Sequence, residues 1–449
     1  MKILLIQPPA WVEGTPVPPL GLAYLAAFSE KIGHKVKIID SVALNLDFKD
    51  IEKEIKNFDA DIVGSTAPTQ HIYNASKIVK MAKENNPNCM TVLGGPHPTV
   101  TDKETLQENH FLDVIVRGEG EKTFVDLLEN KKNLEKVRGI SFRKEDRIIR
   151  NESREYITDL DNLTFPAYHL LPMHKYKITY TRFDLGRVGT PGDQYCSIST
   201  CRGCPQNCYF CASRALWGKI WRSRSAQNII EEIKLLKEKY KVKIIDFMDD
   251  TFTINKKRVI ELCKLLITER IDISWTSCTR VDLFDAEIGK NFKKSGCKLI
   301  NFGLESGNQQ TLNVLKKGFT IEDSRRAVKI AKDEKLNIAA NFIIGVPGEN
   351  RKMVNNTILF AKKLNLTAPT FSILNPLPGT EIYEIAKEKN LLLTKNWEKY
   401  TPFNSVLKLD NFSPKELERL LKKAYFICYF FDFGNIYRVA KRDFFKNYE

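Results

Sequence analysis

Cys204-Pro205-Gln206-Asn207-Cys208-Tyr209-Phe210-Cys211 is the stretch from which the rest of the chain can be read. Its three thiols stand at spacing C-x3-C-x2-C. Thiolates are the soft ligands that iron–sulfur clusters use, and one tight loop can aim three of them at one cluster. A 4Fe–4S cluster held by three thiolates keeps one iron open to a ligand that is not protein. A zinc site competes at this point. Cys201 adds Cys201-x2-Cys204 to Cys208-x2-Cys211, and zinc favours four ligands in such paired units.

The chain has 449 residues, enough for two or three domains with sizeable cores. Its net charge of +15 comes mostly from lysines spread along amphipathic stretches, the pattern of a solvated surface. No compact basic tract interleaved with aromatics points to nucleic acid. No run reaches the roughly 18–20 apolar residues of a membrane span; the best, Ala424 to Phe431, is short and meets Asp432. Met1 to Ile6 read as a strand stopped by Pro8-Pro9, not as a leader's apolar region. A cytoplasmic protein is expected, so the 10 cysteines should be reduced thiols. Five of them fall between Cys196 and Cys211, which suggests a metal site and not a disulfide framework.

Residues 1–135 alternate short apolar runs with amphipathic stretches. Strands are expected at Lys2–Gln7, Lys35–Asp40, Asp61–Ser65, Thr91–Gly94 and Asp113–Arg117. Such alternation implies a doubly wound, Rossmann-like parallel sheet with ligands at the carboxyl ends of its strands. Those ends carry Thr66, Thr69, Gly94, Gly95, His97 and Glu119. No G-x-G-x-x-G follows the first strand, which argues against NAD or FAD. Asp40 reads as a loop cap. Residues 136–190 read as a linker that begins with a hairpin over Gly139–Arg150.

In residues 191–405 the alternation resumes. Six strand-plus-helix units suggest a partial parallel barrel, with its chemistry at the carboxyl ends of the strands. The first strand ends in the cysteine loop. The next three end at Asp249-Asp250, Arg280 and Glu305-Ser306, and the fifth runs into Gly345–Glu349. A guanidinium can take a carboxylate by two hydrogen bonds. Each residue also has a plainer reading, as a helix cap for the aspartates or a lysine partner for Glu305. Residues 406–449 read as a helical extension that starts with Ser413-Pro414 and is rich in Phe and Tyr.

The cysteine spacing, with Phe210 before the last thiol, resembles the radical S-adenosylmethionine (SAM) superfamily. Pro18–Leu25, Gly94-Gly95-Pro96-His97 and Arg117–Glu121 resemble the cobalamin-binding domain that precedes many such barrels. Over nearly its whole length the chain looks like the cobalamin-binding-domain radical SAM enzymes, closest to the anaerobic magnesium-protoporphyrin cyclase-like branch. The resemblance implies a 4Fe–4S cluster on Cys204, Cys208 and Cys211, and cleavage of SAM to a 5′-deoxyadenosyl radical. It implies SAM contacts by Phe210, Asp249, Asp250, Arg280, Glu305 and Ser306. It implies cobalamin contacts by Thr66, Thr69, Gly94, Gly95, His97 and Glu119. The D-x-H-x-x-G motif is missing, so no lower axial histidine is expected and the Ser65–Thr69 loop would cover that face. A structural role for His97 stays open, as does a first domain that no longer binds cobalamin.

The resemblance implies a methyltransferase acting on an unactivated carbon, with an electron donor such as a ferredoxin or flavodoxin. An oxidative cyclase of the same architecture would use the same residues without net methylation. A tRNA methylthiotransferase fits less well, because that family has three cluster cysteines in its N-terminal domain and only Cys89 precedes Cys196 here. A non-enzymatic zinc or cobalamin-binding module would leave the SAM-site residues incidental. The substrate, whether small molecule, lipid, tetrapyrrole or peptide, is not legible.

Overall fold

The computed structural model describes residues 1–10, 16–179 and 188–429. Seven strands form the first sheet: β1 (Lys2–Gln7), β2 (Lys35–Asp40), β3 (Ile62–Thr66), β4 (Met90–Gly94), β5 (Val114–Val116), β6 (Ile140–Lys144) and β7 (Arg147–Arg150). Their order is β2-β1-β3-β4-β5-β6-β7. β1 to β5 are parallel, and β6 and β7 add antiparallel. Ile3 to Ile6 are fully buried, as strands covered on both faces must be. The winding reverses between β1 and β3, which opens a crevice at their carboxyl ends.

The hairpin expected in the linker is part of this sheet. β5 would otherwise be a short open edge, and pairing Val114 to Val116 with Ile140 to Phe142 satisfies it. The linker proper then wedges between the two halves. The Tyr176 hydroxyl donates to Asp40 at 2.7 Å, and the Tyr168 hydroxyl donates to Glu232 at 2.7 Å. Asp40 also caps the short helix Ser41–Leu44, as expected of it. One apolar core runs from the first sheet through Tyr168 and Tyr176 into the second half.

That half starts with β8 (Tyr195–Ile198) and a two-residue ladder, β9 (Cys201–Arg202) with β10 (Arg222–Ser223), that brackets the cysteine loop. β11 (Ile244–Phe247), β12 (Ser274–Thr279), β13 (Cys297–Glu305), β14 (Asn337–Ile344) and β15 (Ala368–Ile373) follow. All six main strands are parallel, in the order β15-β14-β13-β12-β11-β8. Among the described residues β8 and β15 do not pair, so the barrel is the open one expected. Ser225, Asn255, Asp285, Thr320, Asn350 and Thr380 cap the helices that return between and after these strands. Those six polar residues therefore have local work, whereas the acids and arginines at the strand ends do not cap.

The extension begins as expected, with helix Pro414–Tyr429 capped by Ser413. It covers the last strand: the Tyr425 hydroxyl donates to the Phe371 carbonyl at 3.0 Å and the Tyr429 hydroxyl to the Pro369 carbonyl at 2.8 Å. The rest of the Phe- and Tyr-rich tail lies outside the described residues. Among the described residues no helix is long and apolar enough to cross a membrane.

Candidate functional site

The three thiols stand on one loop at the barrel mouth. Cys204 is buried, and Cys208 and Cys211 are half-buried. The loop is held from outside. Tyr209 N–H donates to the Leu315 carbonyl at 3.0 Å, and Phe210 packs against a cluster with Leu315, Ile343 and Val346. Burial pushes the Cys211 thiol up to about 11, and Asp250, Cys208 and Cys204 add to the shift. The sulfurs are thus electrostatic neighbours whose protons a metal would have to displace. Among the described residues no three side chains already stand as a closed metal-ligand set. Cys201 faces elsewhere: its thiol meets Trp221 and Asp249.

Next to the loop, the two aspartates divide their work. Asp249 is buried, and its Oδ1 accepts from Thr200 N–H at 2.7 Å and Cys201 N–H at 3.0 Å, while Oδ2 accepts from the Thr200 hydroxyl. It braces the turn that leads into β9 and does not face the mouth. Asp250 is exposed and accepts from the Ser213 hydroxyl. Desolvation by the surrounding protein raises its carboxyl, and Ser213 opposes that. Its charge reaches both Cys204 and Cys211.

Arg280 follows β12. It pairs with both oxygens of Asp282 at 3.0 and 2.9 Å and donates to the Lys317 carbonyl at 2.6 Å. Its Nη1 is buried without a partner. A buried guanidinium nitrogen without a partner is a place for an anionic ligand group. Glu305 closes β13 in the left-handed region at φ 61°, and its Oε1 accepts from Lys317 Nζ at 3.0 Å. Ser306, expected beside it, is fully buried and bonds Thr357 at 3.0 Å. Ser306 therefore fixes β13 to helix Arg351–Lys363 and does not line the site. On the loop after β14, Glu349 accepts from Val346 N–H at 3.0 Å and the Thr311 hydroxyl at 3.1 Å; burial raises it to about 7.

In the first domain an apolar cavity of about 260 Å³ opens among β1, β3, β4 and helix Leu20–Lys31. Leu5, Leu25, Gly94 and Gly95 line it with Thr66, and Leu216 and Trp217 close it from the barrel side. Gly95 has φ 94°, and a Cβ there would stand 2.6 Å from the Thr66 hydroxyl. Only glycine keeps this wall thin. The closing helix, Ser213–Trp217, starts two positions after Cys211.

Of the other residues expected at cobalamin, Thr69, His97 and Glu119 do not line this cavity. His97 Nδ1 lies 3.3 Å from the Thr69 hydroxyl, and the ring packs edge-on against Trp397 at 4.9 Å. Burial lowers His97 to about 4, so it is neutral. This pair ties the first domain to the segment after the barrel. Glu119 is a clear departure from expectation. Its carboxylate accepts from Arg222 at 2.6 Å and from Ile157 N–H at 2.6 Å, and pairs with Arg202 at 3.4 Å. Arg202 also bonds Glu121 and lies over the Tyr24 and Trp217 rings. Four buried charges therefore join the Gly118–Glu121 turn to the ladder that brackets the cysteines. A gly-flanked acid after a strand reads as ligand-facing, and its partner Arg222 is far along the chain.

Arg202, Arg222, Trp217 and Lys317 are the residues that sequence reasoning missed. Arg202 carried a signal: it is a charge two positions before Cys204.

Residues 12–128 match the B12 binding domain family, and residues 198–361 match the Radical SAM superfamily. The chain is 44% identical over 437 residues to an uncharacterized methyltransferase of Pyrococcus horikoshii, covering 96% of this chain and 92% of that one. It is 30% identical over 431 residues to the anaerobic magnesium-protoporphyrin IX monomethyl ester cyclase of Rubrivivax gelatinosus, covering 93% and 75%. The solved structure of the radical SAM methyltransferase TsrM from Kitasatospora setae, with cobalamin and a [4Fe–4S] cluster bound, superposes with a TM-score of 0.72 at 19% identity, covering 93% of this chain and 81% of that one. That likeness is one of fold. With two matched domains in this order and a 44%-identical relative matched over 92% of its length, the chain belongs to the radical SAM enzymes that carry an N-terminal B12-binding domain.

Proposed function

We propose that this chain is a cobalamin-dependent radical SAM methyltransferase that acts on an unactivated carbon. One observation carries the reading. The short helix Ser213–Trp217 leaves the cysteine loop and forms a wall of the glycine-lined cavity, so the two cofactor sites share one element. When bound, the 4Fe–4S cluster supplies the electron that cleaves SAM reductively, and cobalamin supplies the transferable methyl group.

The chain's own residues hold and orient. Cys204, Cys208 and Cys211 take the cluster. Cys201, facing Trp221 and Asp249, speaks against a four-thiolate zinc site. The unpartnered Nη1 of Arg280 suits the SAM carboxylate. Asp250, accessible where Asp249 is committed, suits its amino group, and Glu305 suits the ribose hydroxyls. Thr66, Gly94 and Gly95 line an apolar cavity that suits the benzimidazole ring of cobalamin's nucleotide tail. Glu119 holds the domains together and has no cobalamin contact in this reading. No protein acid or base is assigned, since hydrogen and methyl transfer need none. A one-electron donor such as a ferredoxin or flavodoxin completes the system.

The test is anaerobic reconstitution with iron, sulfide, hydroxocobalamin and SAM carrying a labelled methyl group. About four irons per chain, bound corrin and 5′-deoxyadenosine after reduction support the reading. Zinc without 5′-deoxyadenosine would bring it down. The 30%-identical cyclase relative keeps one alternative in view. Cyclase chemistry would yield 5′-deoxyadenosine and a product without the labelled methyl.

A further inference from the structure

Lys317 is a buried lysine. It follows helix Gln309–Val314, and its side chain is 7% exposed. Nζ donates to Glu305 Oε1 at 3.0 Å and lies 5.8 Å from the centre of the Phe210 ring and 5.5 Å from that of Phe319. Its own carbonyl accepts from Arg280 Nη2 at 2.6 Å, and Arg280 lies 5.3 Å over the same Phe319 ring. Lys317 therefore touches the strand ends of β12 and β13 and the cysteine loop at once.

The way it touches them matters. It takes one oxygen of Glu305 and one nitrogen of Arg280 from behind. Asp282 holds the guanidinium edge, and Nη1 is left unpartnered. A buried arginine nitrogen is rarely left so unless a ligand completes it. Gly303 makes room for this: a Cβ there would stand 2.7 Å from Glu305 Oε1 and 3.3 Å from Lys317 Nζ. Burial opposes the ammonium charge, but Glu305 and Cys208 favour it more, so Lys317 is held cationic. Phe210, whose ring centre lies 5.8 Å from Nζ, stands in the cysteine loop next to Cys211, so this charge lies beside that loop.

We propose that Lys317 is a positioning residue that sets Arg280 and Glu305 in register for SAM and keeps a fixed positive charge beside the cysteine loop. This rests on the radical SAM reading above. A fixed cation near a thiolate-bound cluster favours its reduced, more negative state, so it raises the reduction potential. A buried ion pair with only a packing role would do neither.

The experiment uses cluster-loaded protein: wild type, Lys317→Met, Lys317→Arg, Glu305→Gln and the Lys317→Met/Glu305→Gln pair. The double variant removes both buried charges, so it keeps the test intact if Lys317→Met alone loads poorly. Iron per chain, the dissociation constant of SAM by equilibrium dialysis and the cluster midpoint potential by redox titration are read for each. Lys317→Met should bind SAM at least tenfold more weakly and move the midpoint lower. The double variant should show the lower midpoint relative to Glu305→Gln. Lys317→Arg should restore the midpoint and only part of the SAM affinity. Loaded Lys317→Met, or the loaded double variant against Glu305→Gln, with SAM affinity within twofold and an unmoved midpoint would overturn the inference alone. Wild type that takes up neither iron nor SAM overturns it together with the reading beneath it.

Discussion

Arg222→Met attacks the buried junction between the two domains. Arg222 donates to Glu119 at 2.6 Å, to the Ile157 carbonyl at 2.8 Å and to the Trp217 carbonyl at 2.8 Å. Both charged side chains are almost fully enclosed, at 5% and 3% exposure. Breaking a buried pair from one side costs about 3–5 kcal/mol, because the surviving charge stays out of water without its partner. Glu119 keeps Arg202 at 3.4 Å and the Ile157 N–H, which sets this part near the lower figure. The two abandoned carbonyls add about 1 kcal/mol each. The expected loss is therefore about 5 kcal/mol. At about 2–4 °C per kcal/mol for units of 150–250 residues, the melt should fall by roughly 10–20 °C. Anaerobic thermal melts followed by circular dichroism measure it. Salt should not rescue or erase the difference, because enclosed charges are little screened. Glu135→Gln, which cuts an exposed pair with Lys144, is the control and should scarcely move the melt. A loss under about 1 kcal/mol for Arg222→Met, or one that disappears in high salt, would refute the reasoning.

Cys201→Ser should bind iron as wild type does, whereas alanine at Cys204, Cys208 or Cys211 should lower iron per chain; an equal loss of metal in all four variants would point back to a four-thiolate, zinc-type set. Gly95→Val should lose at least tenfold in cobalamin retention, read from corrin absorbance after desalting, while iron stays constant, because the new side chain would meet Thr66. For His97 the folded value of about 4 lies below the usual 6.5. The unfolded chain therefore binds the proton first, and stability falls as pH drops through 6.5 toward 4, by up to about 3 kcal/mol from this residue. Denaturant melts at pH 7 and pH 5 should show that slope in wild type and a smaller one in His97→Leu.

The parallel strands were legible because burial on both faces leaves continuous apolar runs. Ile3 to Ile6 and Ile338 to Ile344 stand where such runs predicted strands. The Gly139–Arg150 hairpin was legible as a hairpin but not as sheet, since pairing with β5 is a long-range fact. Helix Pro96–Val100 lies where the sequence showed only the end of a strand, although proline is well suited to a first helical turn. In the site, the cysteine loop and Arg280 stood out because their residue types have few other uses at a strand end. Ser306 and Glu119 did not separate from true lining residues, because what removes them from it is a partner distant in the chain, Thr357 in one case and Arg222 in the other. Lys317 carried no local signal at all: a lone lysine after a helix looks solvated until its burial is known.

The helix Ser213–Trp217 has a consequence for how the protein is loaded. Its N-terminal end follows Cys211 and its far end is a wall of the other cavity. Under the proposed function, a ligand that stiffens the loop should also stiffen the wall, and any change of affinity this makes at the other site is equal in both directions by linkage. Iron supply and corrin retention should then be coupled. A preparation starved of iron should also release its corrin faster on dilution.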